Sequence, residues 1–227
     1  MTTTAAVLVA GGAGERLGLP QPKAFVPLAG EPMLARAARA LSAAGVFARI
    51  VVVVPEGWQE RARELCADVD AELTVCAGGR TRQESVARGV AHAAEDVVAV
   101  HDAARALVPP ELVRDVVAAL TDQWDAVAPA VPIVDTVKRV DPDDGRVLET
   151  VGRATLRAVQ TPQVFRRDLL TRLHGEAHGA DATDDLLLVE QAGGRVRLLD
   201  GDVRNLKVTT AADLLFAEAL LREDARA

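Results

Sequence analysis

The chain has 227 residues, 49% of them hydrophobic, which suits one large domain with a full buried core. Aromatics make up only 3%, with no tyrosine, and the net charge is -7, so neither a stacking platform for bases nor a broad cationic face for nucleic acid is expected. Cys66 and Cys76 form no C-x-x-C pair, the histidines are scattered, and no apolar run reaches membrane-spanning length. A reducing cytoplasm, no membrane contact and no histidine-held metal are the expectations.

In chain order, Ala5–Ala10 (AAVLVA) reads as a buried strand that ends in a glycine turn. Gly11, Gly12 and Gly14 let backbone N–H groups come close to a ligand, which favours phosphates or the edge of a base. The spacing is neither a P-loop nor the dinucleotide fingerprint. Taken alone, these glycines serve equally well as a plain tight turn. Arg16 and Lys23 follow at a distance that lets both point back into one mouth, and paired cations neutralise charge at a phosphate in transfer.

Helical patterns then alternate with apolar, β-branched runs. Helices are predicted over Met33–Gly45, Trp58–Val69, Arg82–Ala94 and Pro109–Leu120. Strands are predicted over Arg49–Val54, Glu72–Ala77, Asp96–His101 and Ala126–Val131. Uninterrupted apolar strands joined by helices indicate a parallel sheet covered on both faces, with ligands at the carboxyl ends of its strands. Asp102 and Arg105, in VHDAAR, follow one such strand. They suit Mg²⁺ or a substrate hydroxyl and a phosphate respectively, and suit a helix cap with a surface ion pair equally well.

From Asp135 to Phe165 the pattern changes to polar–apolar alternation around an Asp143-Asp144-Gly145 turn. That reads as a hairpin arm, 134–159, inserted in a single domain spanning 1–227; its exposed edges suit a partner subunit. Helices resume near Arg167. Thr183, Asp184 and Asp185 read as a helix start, with acids complementing the dipole. Val196–Asp200 is a late strand. Thr210–Asp224 is a closing helix, with Thr210 and Asp213 spaced as a capping box.

Seven motifs stand in order: AGGAGERLG with Lys23, GGRTRQESV (78–86), VHDAAR (100–105), DTVKR (135–139), TPQVF (161–165), TDD (183–185) and NLKVTTAADL (205–214). The first resembles the signature of nucleotidyltransferases with a Rossmann-like, glycosyltransferase-A-type fold. The set, running from about Val7 to Leu214, resembles the 2-C-methyl-D-erythritol 4-phosphate cytidylyltransferase family. The resemblance implies CMP transfer from CTP to 2-C-methyl-D-erythritol 4-phosphate, with Mg²⁺ as cofactor, in a homodimer built through the arm. It implies Arg16, Lys23 and Lys207 as catalytic cations. Ala10, Gly11, Gly12, Gly79, Arg80, Ser85 and Ala103 would bind the nucleotide. Asp102, Arg105, Thr136, Arg153, Thr161 and Lys207 would bind the acceptor, Thr136 and Arg153 from across the interface. Asp102 is also the candidate metal ligand, although the family holds Mg²⁺ largely through the triphosphate. Arg82 reads as an ordinary helix entry.

Three positions depart from the family's usual pattern: Val9-Ala10-Gly11-Gly12 for Pro-Ala-Ala-Gly, Ala24 for glutamine and Ala106 for proline. Two other readings stay open at this point. One is a cytidylyltransferase for another polyol phosphate, such as ribitol 5-phosphate. The other is a nucleotide-binding protein without catalysis.

Overall fold

The computed structural model describes residues 2–12, 21–176 and 184–224. Gly14, Arg16 and Thr183 lie outside them. The first half runs β1 (Thr4–Val9), a short hairpin of β2 (Pro27–Leu28) and β3 (Glu31–Pro32), α1 (Met33–Ala43), β4 (Arg49–Val54), α2 (Gln59–Leu65), β5 (Glu72–Ala77), α3 (Arg82–Ala91), β6 (Val97–Asp102) and α4 (Pro110–Ala118). The second runs β7 (Ala126–Pro132), β8 (Val137–Val140), β9 (Val147–Val151), β10 (Arg157–Val159), β11 (Gln163–Arg166), α5 (Arg167–Glu176), α6 (Asp185–Gln191), β12 (Val196–Asp200) and α7 (Ala211–Asp224).

The central sheet has the order β10-β7-β11-β6-β1-β4-β5, and β12 also pairs with β7. β1 lies parallel to both β4 and β6, β4 to β5, and β12 to β7. Alternation along the buried strands feeds two cores. Ala6, Leu8, Ile50, Val52 and Val54 meet α1, α2 and α4 on one face. Ala5, Val7, Val51 and Val53 meet α3, α5 and α6 on the other. The mostly parallel α/β sheet with helices on both faces is therefore as the sequence predicts.

Two features differ from the sequence reading. β11 is antiparallel to both β6 and β7, so the sheet is mixed. At four residues, QVFR is too short and too buried to show the period or direction of a strand of its own. The hairpin is also narrower than 134–159. β8 and β9 form a separate two-stranded sheet around Gly145 (φ 72°), whereas β10 rejoins the main sheet through Arg157–Pro132 and Val159–Ala130 pairing. The capping box forms: Thr210 Oγ1 accepts from the Asp213 amide at 3.2 Å, and Asp213 Oδ2 accepts from the Thr210 amide at 2.8 Å.

The helix that opens the second glycine motif is pressed hard on the sheet. A Cβ on Gly89 of α3 would meet Val7 Cγ1 at 2.4 Å and Val53 Cγ2 at 2.8 Å. In an open helix, alanine in place of glycine gains about 1 kcal/mol. Here the clash dominates, and Gly89→Ala is expected to lower stability by about 1–3 kcal/mol. Urea unfolding would read this as a lower midpoint at unchanged slope.

Candidate active site

The ends of β1, β4 and β6 draw the two glycine turns together. The amides of Ala10 and Gly78 donate to Val53 O and Val54 O, each at 2.8 Å, and the Ala103 amide donates to Val9 O at 3.0 Å. Thr81 caps α3 by accepting from the Glu84 amide. Ser85, one turn on, accepts from the Gly79 amide at 3.0 Å and donates to Thr81 O at 2.9 Å. A Cβ on Gly78 would reach Ser85 Oγ at 2.8 Å, so only glycine lets this turn close over the serine.

Between the turns lies a cavity of about 390 Å³. Ala10, Gly11, Gly12, Lys23, Gly79, Arg80, Ser85, Asp102, Ala103 and Lys207 all line it. Lys23 is set by its surroundings: its amide donates to Gly12 O, and buried Phe25 two residues on packs on Trp58 with ring centroids 4.5 Å apart. Lys207 is set in the same way. The Val208 amide donates to Ala104 O at 2.8 Å, and Asn205, fully buried, donates to Thr161 O at 2.8 Å.

Asp102 ends β6 and is buried. Its Oδ2 lies 2.7 Å from Lys207 Nζ and its Oδ1 3.2 Å from Arg82 Nε. Arg82 also reaches the buried Asp185 with Nη1 at 2.6 Å. Burial alone would raise the Asp102 carboxyl; Arg82 and then Lys207 outweigh it and hold the group well below the usual carboxylate range. Asp185 follows the same logic, with burial opposed by contacts to His174 and Arg82. The cavity thus presents four described cations, Lys23, Arg80, Arg82 and Lys207, against one carboxylate.

A neutral layer underlies these charges. Thr161 Oγ1 accepts from the Asp102 amide at 3.1 Å and lies 2.9 Å from His101 Nδ1. His101 Nε2 lies 3.2 Å from the carbonyl of Arg105, which can only accept. Nε2 therefore carries the proton, and Nδ1 accepts from the threonine hydroxyl. Burial pushes the His101 pKa down to about 4.

Some predicted residues stand elsewhere. Thr161 and Arg105 do not line the cavity. Arg105 donates to Asn205 O at 2.7 Å and Val159 O at 3.2 Å, bracing backbone behind the site. Thr136 and Arg153 belong to the arm, where Arg153 bonds the carbonyl of Val134. The sequence reading also passed over two residues. Arg82 and Asp185 do open α3 and α6, and beyond that they anchor Asp102. An arginine in the first turn of α3 opposes the helix dipole, which was the available signal.

The candidate metal residue has both oxygens engaged by cations. Among the described residues no three His, Cys, Asp or Glu side chains cluster as a metal cage. The donor set fits a divalent cation held mainly by a ligand's phosphates, with Asp102 the one described carboxylate lining the cavity.

Backbone donors and cations gathered over the ends of parallel strands match the needs of a nucleoside triphosphate, and they define an α/β nucleotidyltransferase. The particular family is the IspD family, 2-C-methyl-D-erythritol 4-phosphate cytidylyltransferase, to which the chain belongs; the family model matches residues 4–223. A Rhodococcus jostii protein of that name is 48% identical over 221 residues, covering 97% of this chain and 96% of the relative. One from Saccharopolyspora erythraea is 44% identical, covering 95% and 98%. The Thermus thermophilus crystal structure of the same name aligns with TM-score 0.79 at 32% identity over 98% of this chain and 100% of its own. That of 4-diphosphocytidyl-2C-methyl-D-erythritol synthase from Anaerococcus prevotii aligns at 0.85 and 26% identity over 97% and 99%.

The His101 geometry sets a pH dependence. The unfolded chain takes up a proton near pH 6.5 that the folded chain refuses until about pH 4. This contribution is complete above 6.5 and is lost as pH falls through about 4, on the order of 3 kcal/mol in all. His101→Gln is expected to flatten that part of the profile, measured as urea unfolding free energy at pH 7, 5.5 and 4 against wild type.

Proposed function

We infer that the chain transfers CMP from CTP to 2-C-methyl-D-erythritol 4-phosphate, giving 4-diphosphocytidyl-2-C-methyl-D-erythritol and pyrophosphate. Family membership over residues 4–223 supports the substrates. The cationic cavity at the strand ends is the observation that carries the chemistry.

An oxygen of the acceptor's phosphate attacks the α-phosphorus of CTP in line. One P–O bond forms, the bond to the β-phosphate breaks, and its electron pair leaves with pyrophosphate. The glycine turns, Gly79, Arg80 and Ser85 hold the nucleotide. Lys23, with Arg16, stabilises charge at the α-phosphorus and the leaving group, and Lys207 and Asp102 orient the acceptor. The attacking oxygen is already ionised, so no base is required. His101 would be poorly suited as one, since both its nitrogens are engaged below the cavity. A divalent cation such as Mg²⁺ would be held mainly through the triphosphate, with Asp102 the one described carboxylate of the lining, and would supply further neutralisation of the leaving charge.

The arm supports a homodimer. Val140, Val147 and Leu148 on it are about half exposed, and so is Phe216 on α7. A hairpin that stands off the sheet with its valines and Leu148 exposed among charged residues is best covered by a second copy, whose site then takes in Thr136 and Arg153. Among the described residues no helix is long and apolar enough to cross a membrane, and both cysteines are free. These facts favour the cytoplasm.

Pyrophosphate release with CTP, Mg²⁺ and either methylerythritol phosphate or ribitol 5-phosphate tests the acceptor. The expected result is release with the first and little with the second; the reverse preference would replace the acceptor while leaving the chemistry. Lys23→Ala is expected to lower kcat on the order of 10²–10³-fold with an unchanged melting curve. For the shared site, Lys23→Ala and Arg153→Ala proteins, each poorly active alone, should recover about a quarter of wild-type activity after mixing and subunit exchange, because mixed dimers hold one intact site. No recovery would remove Arg153 from the partner's site.

A further inference from the structure

Two cations hold Asp102, and they are not equivalent. Lys207 sits on the loop before α7 with its side chain 42% exposed, at the cavity wall. Its ammonium is a point charge on a flexible stem, free to turn toward an arriving phosphate. Arg82 is 25% exposed and uses different nitrogens of one planar group for two acids: Nε for Asp102 and Nη1 for Asp185. Asp185 is 1% exposed at the start of α6. His174 Nε2 of α5 lies 3.1 Å from its other oxygen, off the hydrogen-bond axis.

We propose that Arg82 is a positioning residue for Asp102, fixing that carboxylate toward the acceptor by tying it to the buried Asp185. The proposal rests on the reading that Asp102 binds the acceptor. When Lys207 leaves Asp102 for a phosphate, Asp102 loses its Oδ2 partner. Arg82 cannot follow the ligand in the same way, because Asp185 holds its far nitrogen. The carboxylate then keeps its direction while the loop cation moves. Lysine at position 82 would retain the charge but could not span both acids with a rigid fork. The two acids come from β6 and α6, and the arginine from α3, so the bridge also sets the spacing of three elements around the cavity.

A double-mutant cycle on pyrophosphate release tests this, using Arg82→Lys, Asp185→Asn, Asp102→Asn and their pairs, each checked for folding by its melting curve. Arg82→Lys and Asp185→Asn are each expected to raise the acceptor KM about tenfold or more, with the CTP KM within about twofold. In the Asp102→Asn background the same changes should add less than about twofold, because the group they position is gone. Full multiplication of the penalties would overturn the proposal and make Arg82 a direct ligand contact or a purely structural brace. An Asp102→Asn protein with wild-type acceptor kinetics would instead overturn the reading beneath it. If Arg82→Lys does not fold, the Asp185→Asn and Asp102→Asn cycle decides by the same criterion.

Discussion

A buried carboxylate at the end of a parallel strand is the constraint around which this site is organised. Ionised and desolvated, Asp102 would cost several kcal/mol by itself. Arg82 and Lys207 offset that cost only if they are held close, and holding them recruits α3, α6 and the loop before α7. Segments separated by about a hundred residues in sequence are thus brought to one point by charge. Hydrophobic packing fixes the sheet and the helices on it, but it has no direction strong enough to aim these side chains.

The layer below does the complementary task with neutral groups. His101 and Asp102 are neighbours on β6, so alternation sends their side chains to opposite faces. The imidazole enters the buried side, where burial keeps it neutral and Thr161 and a backbone carbonyl fix its tautomer. Arg105 closes the same layer through the carbonyls of Asn205 and Val159, and its own burial lowers its pKa. The arginine that the sequence offered as a phosphate partner holds together the backbone that carries Lys207. Its Nε remains buried without a partner, which is the penalty of using a forked cation as an internal brace.

Much of this was legible beforehand, and the reasons differ by element. The strands AAVLVA and RIVVVV declared themselves because burial on both faces removes all polar alternation. The glycine turns and Lys23 could be read because close backbone approach and confined cations leave local marks. Asp185 could not be read as an anchor. Its local setting, TDD before an apolar run, is also what a good helix start looks like, and only the fold reveals that an arginine from 103 residues away stops there. β11 escaped for a related reason: a four-residue buried strand has no length over which a period can show. Local physics writes itself into sequence, whereas ion pairs across the fold are visible only from the side whose residue type is unfavourable where it stands, as Arg82 is in a first helical turn.

The cations themselves raise the last question of balance. Four of them around a small cavity repel one another before any phosphate arrives, and an acidic chain alone does not relieve that at short range. Each described one has an acid behind it. Arg80 reaches Glu84 at 3.5 Å, Arg82 is divided between Asp102 and Asp185, and Lys207 rests on Asp102. Asp213, raised by burial and lowered by the Thr210 and Thr209 amides, also feels Lys23. The site is therefore preorganised in a nearly compensated state, with its cations already aimed. A triphosphate need not gather them from solution; it replaces carboxylates as their partner. The exposed pair at Arg80 can exchange at little cost, as surface ion pairs do, and the half-exposed Lys207 can turn from Asp102 to a phosphate because Arg82 stays on that carboxylate. The buried pair at Arg82 and Asp185 cannot, so the part of the charge array that must stay fixed is the part the fold has taken out of water.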